Sequence, residues 1–239
     1  MTPTLYDLAE DAFAYMDGPT IEFDRRPEFV LRNAPNPHPM FGMVLRPRLG
    51  DVDHALVEAR AWFSARGRTT YTWMVATSSE PSDLVEQLLA RGLMPDTDPV
   101  SAGMVMEREP GRVDDIEVRK VGTYEESLAS LTLAWKSFDF SEEQIEEATH
   151  AHRARYDLWK DFQGGDNFIA LVDGEIVGSG GAAYLPPGIY LLGGNVAEHM
   201  RGRGVYRALV RARWDEAVRR GTPALVVQAG RMSSPARES

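Results

Sequence analysis

Cysteine is absent from the sequence. Disulfides, thiolate nucleophiles and cysteine-bound metals are therefore excluded. Nor does any stretch approach the roughly 20 uninterrupted apolar residues of a membrane span, so no membrane partner is expected. The opening MTPTLYDLAEDAFAYMDGP carries acids where a secretory leader carries basic residues, and it lacks an apolar centre. A cytoplasmic location is the expectation. Positive charge is scarce too: 26 Lys and Arg against 36 Asp and Glu give a formal net charge of −10. Phosphate backbones are held by basic surfaces, so this balance excludes nucleic acid as a general partner.

The basic residues that do occur are unevenly placed. Arg201, Arg203, Arg207, Arg211 and Arg213 crowd one short segment, where a single acidic ligand could bind while the rest of the surface repels polyanions. The 239 residues, 43% of them hydrophobic, suffice for one large domain or two small ones.

Read in order, LYDLAEDAFAYM is a short helix, and PEFVLRNAPNPHPMFGMVLRP reads as two strands around a proline-rich loop. DVDHALVEARAWFSARG places Val52, Leu56, Ala59, Trp62 and Phe63 on one helical face, with Gly67 as its stop. TTYTWMVATSS is a strand. The helix at 82–92 has Ser79 as candidate N-cap and Leu84, Val85, Leu88 and Leu89 as its expected buried face. SAGMVMERE is a further strand, and Glu109–Arg112 is the expected boundary, dividing the chain into halves 1–111 and 112–239. In the second half DDIEVRKVG reads as a strand, followed by two helices, TYEESLASLTLAWKSF and SEEQIEEATHAHRARYDLWKDF. NFIALVDGEIVGSGGAAYL is a hairpin turning at Asp173-Gly174. The strand IYLLGGNV follows, then the helix GVYRALVRARWDEAVRRG and the strand PALVVQAG. A faint repeat links the halves: Ala55-Leu56-Val57 aligns with Ala208-Leu209-Val210, Ala59-Arg60 with Ala212-Arg213, and Pro81 with Pro235.

The segment NVAEHMRGRGVYRALVRARWDEA carries the chemistry. A helix starts with N–H groups that lack intrahelical partners and bear partial positive charge. Behind a glycine loop such groups form a phosphate site, because no side chain blocks the backbone and positive φ is allowed. The competing reading is a polar turn before a core helix. The spacing is not G-x-G-x-x-G and no Gly-Lys-Ser/Thr follows, so a dinucleotide fold and a Walker loop are both poor competitors. His150 and His152, at i and i+2, point to different helix faces; they read as exposed histidines rather than a metal pair.

RGRGVY followed by RALV resembles the acyl-CoA pyrophosphate loop of the GNAT superfamily of N-acyltransferases, Gln/Arg-x-x-Gly-x-Gly/Ala. Arg201 and Gly204 match, and Tyr206 stands where Gly or Ala is usual. The element order from about Asp114 to Gly230 is also similar to this family. The resemblance implies an α+β fold, a mixed and mostly antiparallel central sheet flanked by helices on both faces, in two related halves. It implies acetyl-CoA or another acyl-CoA as cosubstrate, with no metal, and direct transfer to a primary amine of a small molecule or peptide. Asn195, Val196 and Ala197 would pair with the pantetheine arm. Arg201, Gly202, Arg203, Gly204, Val205, Tyr206 and Arg207 would surround the pyrophosphate. Transfer needs a neutral amine, a donor for the tetrahedral oxygen and a route for the lost proton. The Val196 N–H is the candidate donor, and Glu198 and His199 are the candidate proton relays; Tyr184 and Tyr190 read as core or groove wall.

The sequence departs from the family in two places. No glutamate lies early on the strand Gly188-Ile189-Tyr190, and the helix and strands expected after VVQAGRMSSP are missing. The first half carries such a continuation, and its own loop, RPRLGDVDHALV, puts Asp51 and Asp53 where the second half has Gly204 and Tyr206. Two carboxylates there repel pyrophosphate, so only the second half is expected to bind cofactor, the first covering sheet edges and shaping the acceptor pocket. An open edge at the truncated end would invite pairing with a second copy, hence an expectation of homodimerisation. A non-catalytic acyl-CoA-binding or partner-binding module is the alternative function.

Overall fold

The computed structural model describes residues 2–36, 38–95, 101–137 and 141–230. The expected tail RMSSPARES, with Pro235 of the repeat, lies outside them. Two compact units are present: Tyr6–Gly103 joined by residues from Gln228 on, and Met104–Val227 joined by Met1–Leu5.

The N-terminal unit starts with α1 (Leu5–Asp11) and builds a sheet from β1 (Glu22–Arg25), β2 (Val30–Asn33), β3 (Gly42–Leu45) and β4 (Thr72–Trp73), in that order. The first three strands are antiparallel, and β3 and β4 are parallel around α2 (Val52–Ser64). The core joins Leu31 and Val44 to Val52, Ala59 and Phe63 of the expected face of α2 and to Ala55 beside it, while Leu56 and Trp62 of that face are only partly buried. β1 was not foreseen, because EFDR has no apolar alternation. β4 is shorter than TTYTWMVATSS, since Ser79 Oγ accepts the Ala76 N–H (2.9 Å) and folds the polar end into a turn. Ser79 therefore does not cap α3 (Leu84–Ala90), whose N-cap position is Asp83. Only Leu84 and Leu88 of the expected face are buried; Val85 and Leu89 are 48% and 42% exposed, the narrower stripe of a helix covered on one side.

The second sheet runs β5 (Ser101–Met106), β10 (Leu225–Gly230), β9 (Gly188–Val196), β8 (Glu175–Leu185), β7 (Gly165–Val172), β6 (Glu117–Lys120). β6 to β9 are antiparallel neighbours, and β9 and β10 are parallel. Asp173 (φ 51°) and Gly174 (φ 82°) make the predicted hairpin turn between β7 and β8. β5 lies beside β10, the strand on which the dimer expectation rested, and is itself the end strand of the sheet.

Helices cover both faces, as alternation along β8 shows. Gly178 and Gly180 face Val205, Leu209 and Arg213 of α6 (Val205–Arg219), whereas the intervening Ser179 donates its hydroxyl to Ser130 O of α4 (Tyr124–Ser137) at 3.2 Å. Packed on α4 is α5 (Glu142–Trp159), started by a capping box in which Ser141 and Gln144 exchange hydrogen bonds. The buried residues Val205, Leu209, Val210, Trp214 and Ala217 of α6 share one core with Phe168, Ala170, Val177, Ile189 and Leu225. A fully buried Leu contributes roughly 1.5–3 kcal/mol, so this core fixes α6, and with it the loop that starts the helix, against the sheet.

Candidate functional site

Among the described residues β9 pairs with β10 through Ile189 and Tyr190 alone, and the ladder between these parallel strands does not continue beyond Tyr190. On its other side β9 stays bonded to β8, with a register skip where Gly180 opposes Gly193 and Gly194. The Ala197 N–H bonds Val177 O (2.9 Å). Because bonded and non-bonded pairs alternate in an antiparallel ladder, the neighbouring pair Val196–Gly178 turns its amides away from β8. The Val196 N–H therefore faces the opening between β9 and β10.

From this edge the chain makes a 3-10 turn at Glu198–Met200 and bends through two left-handed glycines, Gly202 (φ 78°) and Gly204 (φ 87°). Gly204 is the N-cap of α6 and supplies no side chain to it. The first amide bonded along the helix is that of Ala208, to Gly204 O (2.9 Å). The N–H groups of Val205, Tyr206 and Arg207 thus lack intrahelical acceptors. Val205 is buried, while Arg201, Gly202, Arg203, Tyr206 and Arg207 are exposed. A glycine cap in front of three unclaimed amides is the geometry an anion needs.

The arginine cluster divides in two. Arg201, Arg203 and Arg207 stand at the loop with no carboxylate partner among the described residues. Arg211 is claimed by Glu109 (2.5 Å), Asp215 (3.0 Å) and Pro110 O (3.0 Å), and Arg213 is wholly buried. Arg201, Arg203 and Arg207, the three arginines expected around the pyrophosphate, are thus the ones of this segment that stand exposed at the helix end.

Tyr206 departs from the Gly/Ala pattern, and Gly194 explains how. A Cβ on Gly194 would fall 2.4 Å from the Tyr206 ring. The ring occupies the space a side chain at 194 would fill, so the glycine on the strand accommodates the aromatic on the helix. Glu198 and His199 are both exposed on the 3-10 turn. Asn195 and Ala197 are half-buried on the same edge as Val196. Tyr190 is buried, and the half-buried Tyr184 donates its hydroxyl to Asp166. Burial holds that phenol above its usual range, which unfits it to give up a proton at neutral pH.

The sequence reading missed one polar chain. His152 is buried rather than exposed: Nε2 lies 3.1 Å from Ser127 Oγ, and the ring stacks on Tyr124 at 5.4 Å. Burial lowers its pKa. Ser130 Oγ donates to Ser127 O (2.9 Å), and Ser179 Oγ to Ser130 O. Serines at 127 and 130 share a helical face, but nothing in the sequence shows that His152 meets them. His150 is exposed, and among the described residues no group of three His, Asp or Glu could hold a metal.

The corresponding corner of the N-terminal unit is filled by its own residues. Asp51 is the N-cap of α2 and accepts the His54 N–H (3.0 Å), while Asp53 is held by Arg91 at 2.7 Å. A bridge between Arg48 and Glu80, with Leu49 N–H to Glu80 O (2.9 Å) and Glu80 N–H to Pro47 O (3.0 Å), keeps this chain path paired past β3. A cavity of about 430 Å³ lies beside this helix end, lined in part by Glu28, Asp51, His54 and Glu58; its acids are the wrong charge for phosphate.

Residues 131–235 match the model of the Acetyltransferase (GNAT) family. The loop and helix just described lie inside the stretch that this model matches. No curated protein matches the sequence. Among solved structures the chain is similar to a GCN5-related N-acetyltransferase from Kribbella flavida, at 14% identity over 96% of this chain and 86% of that one, TM-score 0.66. It is similar to a tandem GNAT protein from the clavulanic acid biosynthesis pathway, at 15% identity over 92% and 78%, TM-score 0.61. A GCN5-related N-acetyltransferase from Sphaerobacter thermophilus is similar at 18% identity over 89% and 75%, TM-score 0.54. At these identities the likeness is one of fold. Among the described residues no helix is long and apolar enough to cross a membrane.

Proposed function

We propose that the chain is an acyl-CoA-dependent N-acyltransferase, with acetyl-CoA as the leading cosubstrate and a primary amine of a small molecule or peptide as acceptor. The observation that carries this is the open N-terminus of α6, glycine-capped and set at the mouth of the β9–β10 opening. Pyrophosphate oxygens fit the unclaimed amides of Val205, Tyr206 and Arg207. Arg201, Arg203 and Arg207 add charge-assisted hydrogen bonds. The edge Asn195–Ala197 offers backbone groups to the pantetheine arm, as a β-strand partner would. The cosubstrate supplies an activated thioester; the protein's part is to hold that thioester, direct the Val196 N–H at its oxygen and bring the amine to it. Glu198 and His199, exposed on the 3-10 turn that follows this edge, would take up the proton. The acidic body of the chain favours a cationic acceptor.

Calorimetric titration with acetyl-CoA and with CoA tests the binding, and a screen of primary amines tests the transfer. Because the chain has no cysteine, released CoA thiol can be read without background from the protein. Binding of about one molecule per chain with amine-dependent thiol release is expected. Binding without release from any amine would favour the binding-module reading; no binding would refute both.

A further inference from the structure

Arg213 has no role in the function proposed above. It lies two turns into α6, wholly buried. Nε donates to Leu209 O (3.0 Å), and Nη1 to Gly181 O (3.1 Å) and Gly193 O (3.4 Å); buried Nη2 has no partner. No carboxylate pairs with it among the described residues. A Cβ on Gly180 would stand 2.9 Å from Nη1, so glycines of β8 and β9 clear the space it fills. Burial lowers its pKa to about 10, which leaves it charged at neutral pH. An uncompensated buried cation opposes folding, and an apolar side chain of similar volume would pack there without that opposition. Stability does not explain this residue.

Its position does. The carbonyl that Nη1 meets at Gly193 belongs to the peptide at the register skip of β9, in the stretch beyond the pairs with β10. An acyl-CoA arm paired along Asn195–Ala197, with its thioester oxygen at the Val196 N–H, would lie beside this peptide. We propose that Arg213 is a positioning residue for acyl transfer: it fixes the Gly193–Gly194 peptide and sets a positive charge behind it for the thioester oxygen. The peptide is planar and trans, so with its carbonyl held by the guanidinium, the Gly194 N–H points the opposite way.

The transfer shows what the charge is for. The amine nitrogen bonds the acyl carbon as the carbonyl π pair moves onto oxygen. When that pair returns, the carbon–sulfur bond breaks and sulfur leaves with its electrons as CoA thiolate. The proton lost by nitrogen neutralises the thiolate, so acyl-CoA and amine become amide and CoA. Negative charge on the oxygen exists only in between. A cation already fixed behind the bulge stabilises it with no rearrangement at that moment.

This inference rests on the acyl-CoA reading, and one experiment separates the two. The infrared carbonyl band of ¹³C=O-labelled acetyl-CoA is recorded free and bound to the parent, Arg213→Met and Arg213→Gln proteins, with affinities measured in parallel. The parent should move the band to lower frequency. Both variants should bind within about threefold of the parent and lose about half or more of that displacement. If the parent fails to bind, the acyl-CoA reading falls. If the parent binds without displacing the band, or a folded variant keeps the parental displacement, the role of Arg213 is refuted while that reading stands. Should the neutral variants not fold, Gly180→Ala, which pushes on Nη1, should also shrink the displacement; an unchanged band there would equally refute the role.

Discussion

The chain makes the same corner twice, β3 into α2 in the N-terminal unit and β9 into α6 in the C-terminal unit. Each corner leads from a strand through a loop to a helix and returns to a strand parallel with the first, joined to it by two residue pairs. The corners then differ at the helix cap. Asp51 gives α2 a carboxylate that takes the His54 amide, whereas Gly204 gives α6 nothing. They differ again beyond the strands: Arg48 and Glu80 keep pairing after β3, while among the described residues the β9–β10 ladder does not continue beyond Tyr190. One corner satisfies its own donors and serves the fold. The other leaves amides, arginines and a strand edge unclaimed, which is how a site for a phosphate-bearing ligand is built.

If that difference is the cause of binding, exchanging the cap should move it. Gly204→Asp places the N-terminal unit's solution on α6. Aspartate tolerates left-handed backbone better than most residues, and its carboxylate would both cap an amide and repel phosphate. Acetyl-CoA affinity should fall about 100-fold or more, with the far-UV spectrum unchanged. Replacing Arg201, Arg203 or Arg207 with Gln should weaken binding about three- to tenfold each, since each charge is exposed; the parent's affinity should drop as salt rises, and each variant's should drop less. Arg211→Gln serves as the control, because its partners are Glu109 and Asp215, and should leave affinity unchanged. The smallest effect is expected at α2. Asp51→Ala should lower stability by about 1 kcal/mol through loss of the cap, seen as a shifted denaturant midpoint. It should create no second CoA site, because the paired path through Arg48 and Glu80 stays closed.

The local architecture of both corners was legible in the sequence, because glycines before an amphipathic helix and acids before its counterpart are local signals. So was the hairpin at Asp173-Gly174, where the turn type dictates the residues. Features set by distant residues were not legible. EFDR becomes β1 only because β2 offers it an edge. β5 fills the place beside β10 that the sequence seemed to leave open. Val85 and Leu89 keep helical spacing yet find nothing to pack on. At the site, Arg211 and Arg213 looked like part of a basic patch until Glu109, Asp215 and the glycines of β8 and β9 were seen around them. The burial of His152 depends on Ser127 and Tyr124 of a different helix. Tyr206 looked like a defect in the loop, and only the contact with Gly194 shows it to be accommodated.

The measurement that bears most directly on this account is an amide-resolved NMR titration of the ¹⁵N-labelled chain with CoA. The account predicts that the resonances of Gly202 through Arg207 and of Asn195 through Ala197 move on binding, while those of Val52 through His54 stay still. Movement at Val52 through His54, or binding that leaves Val205 through Arg207 unmoved, would contradict it.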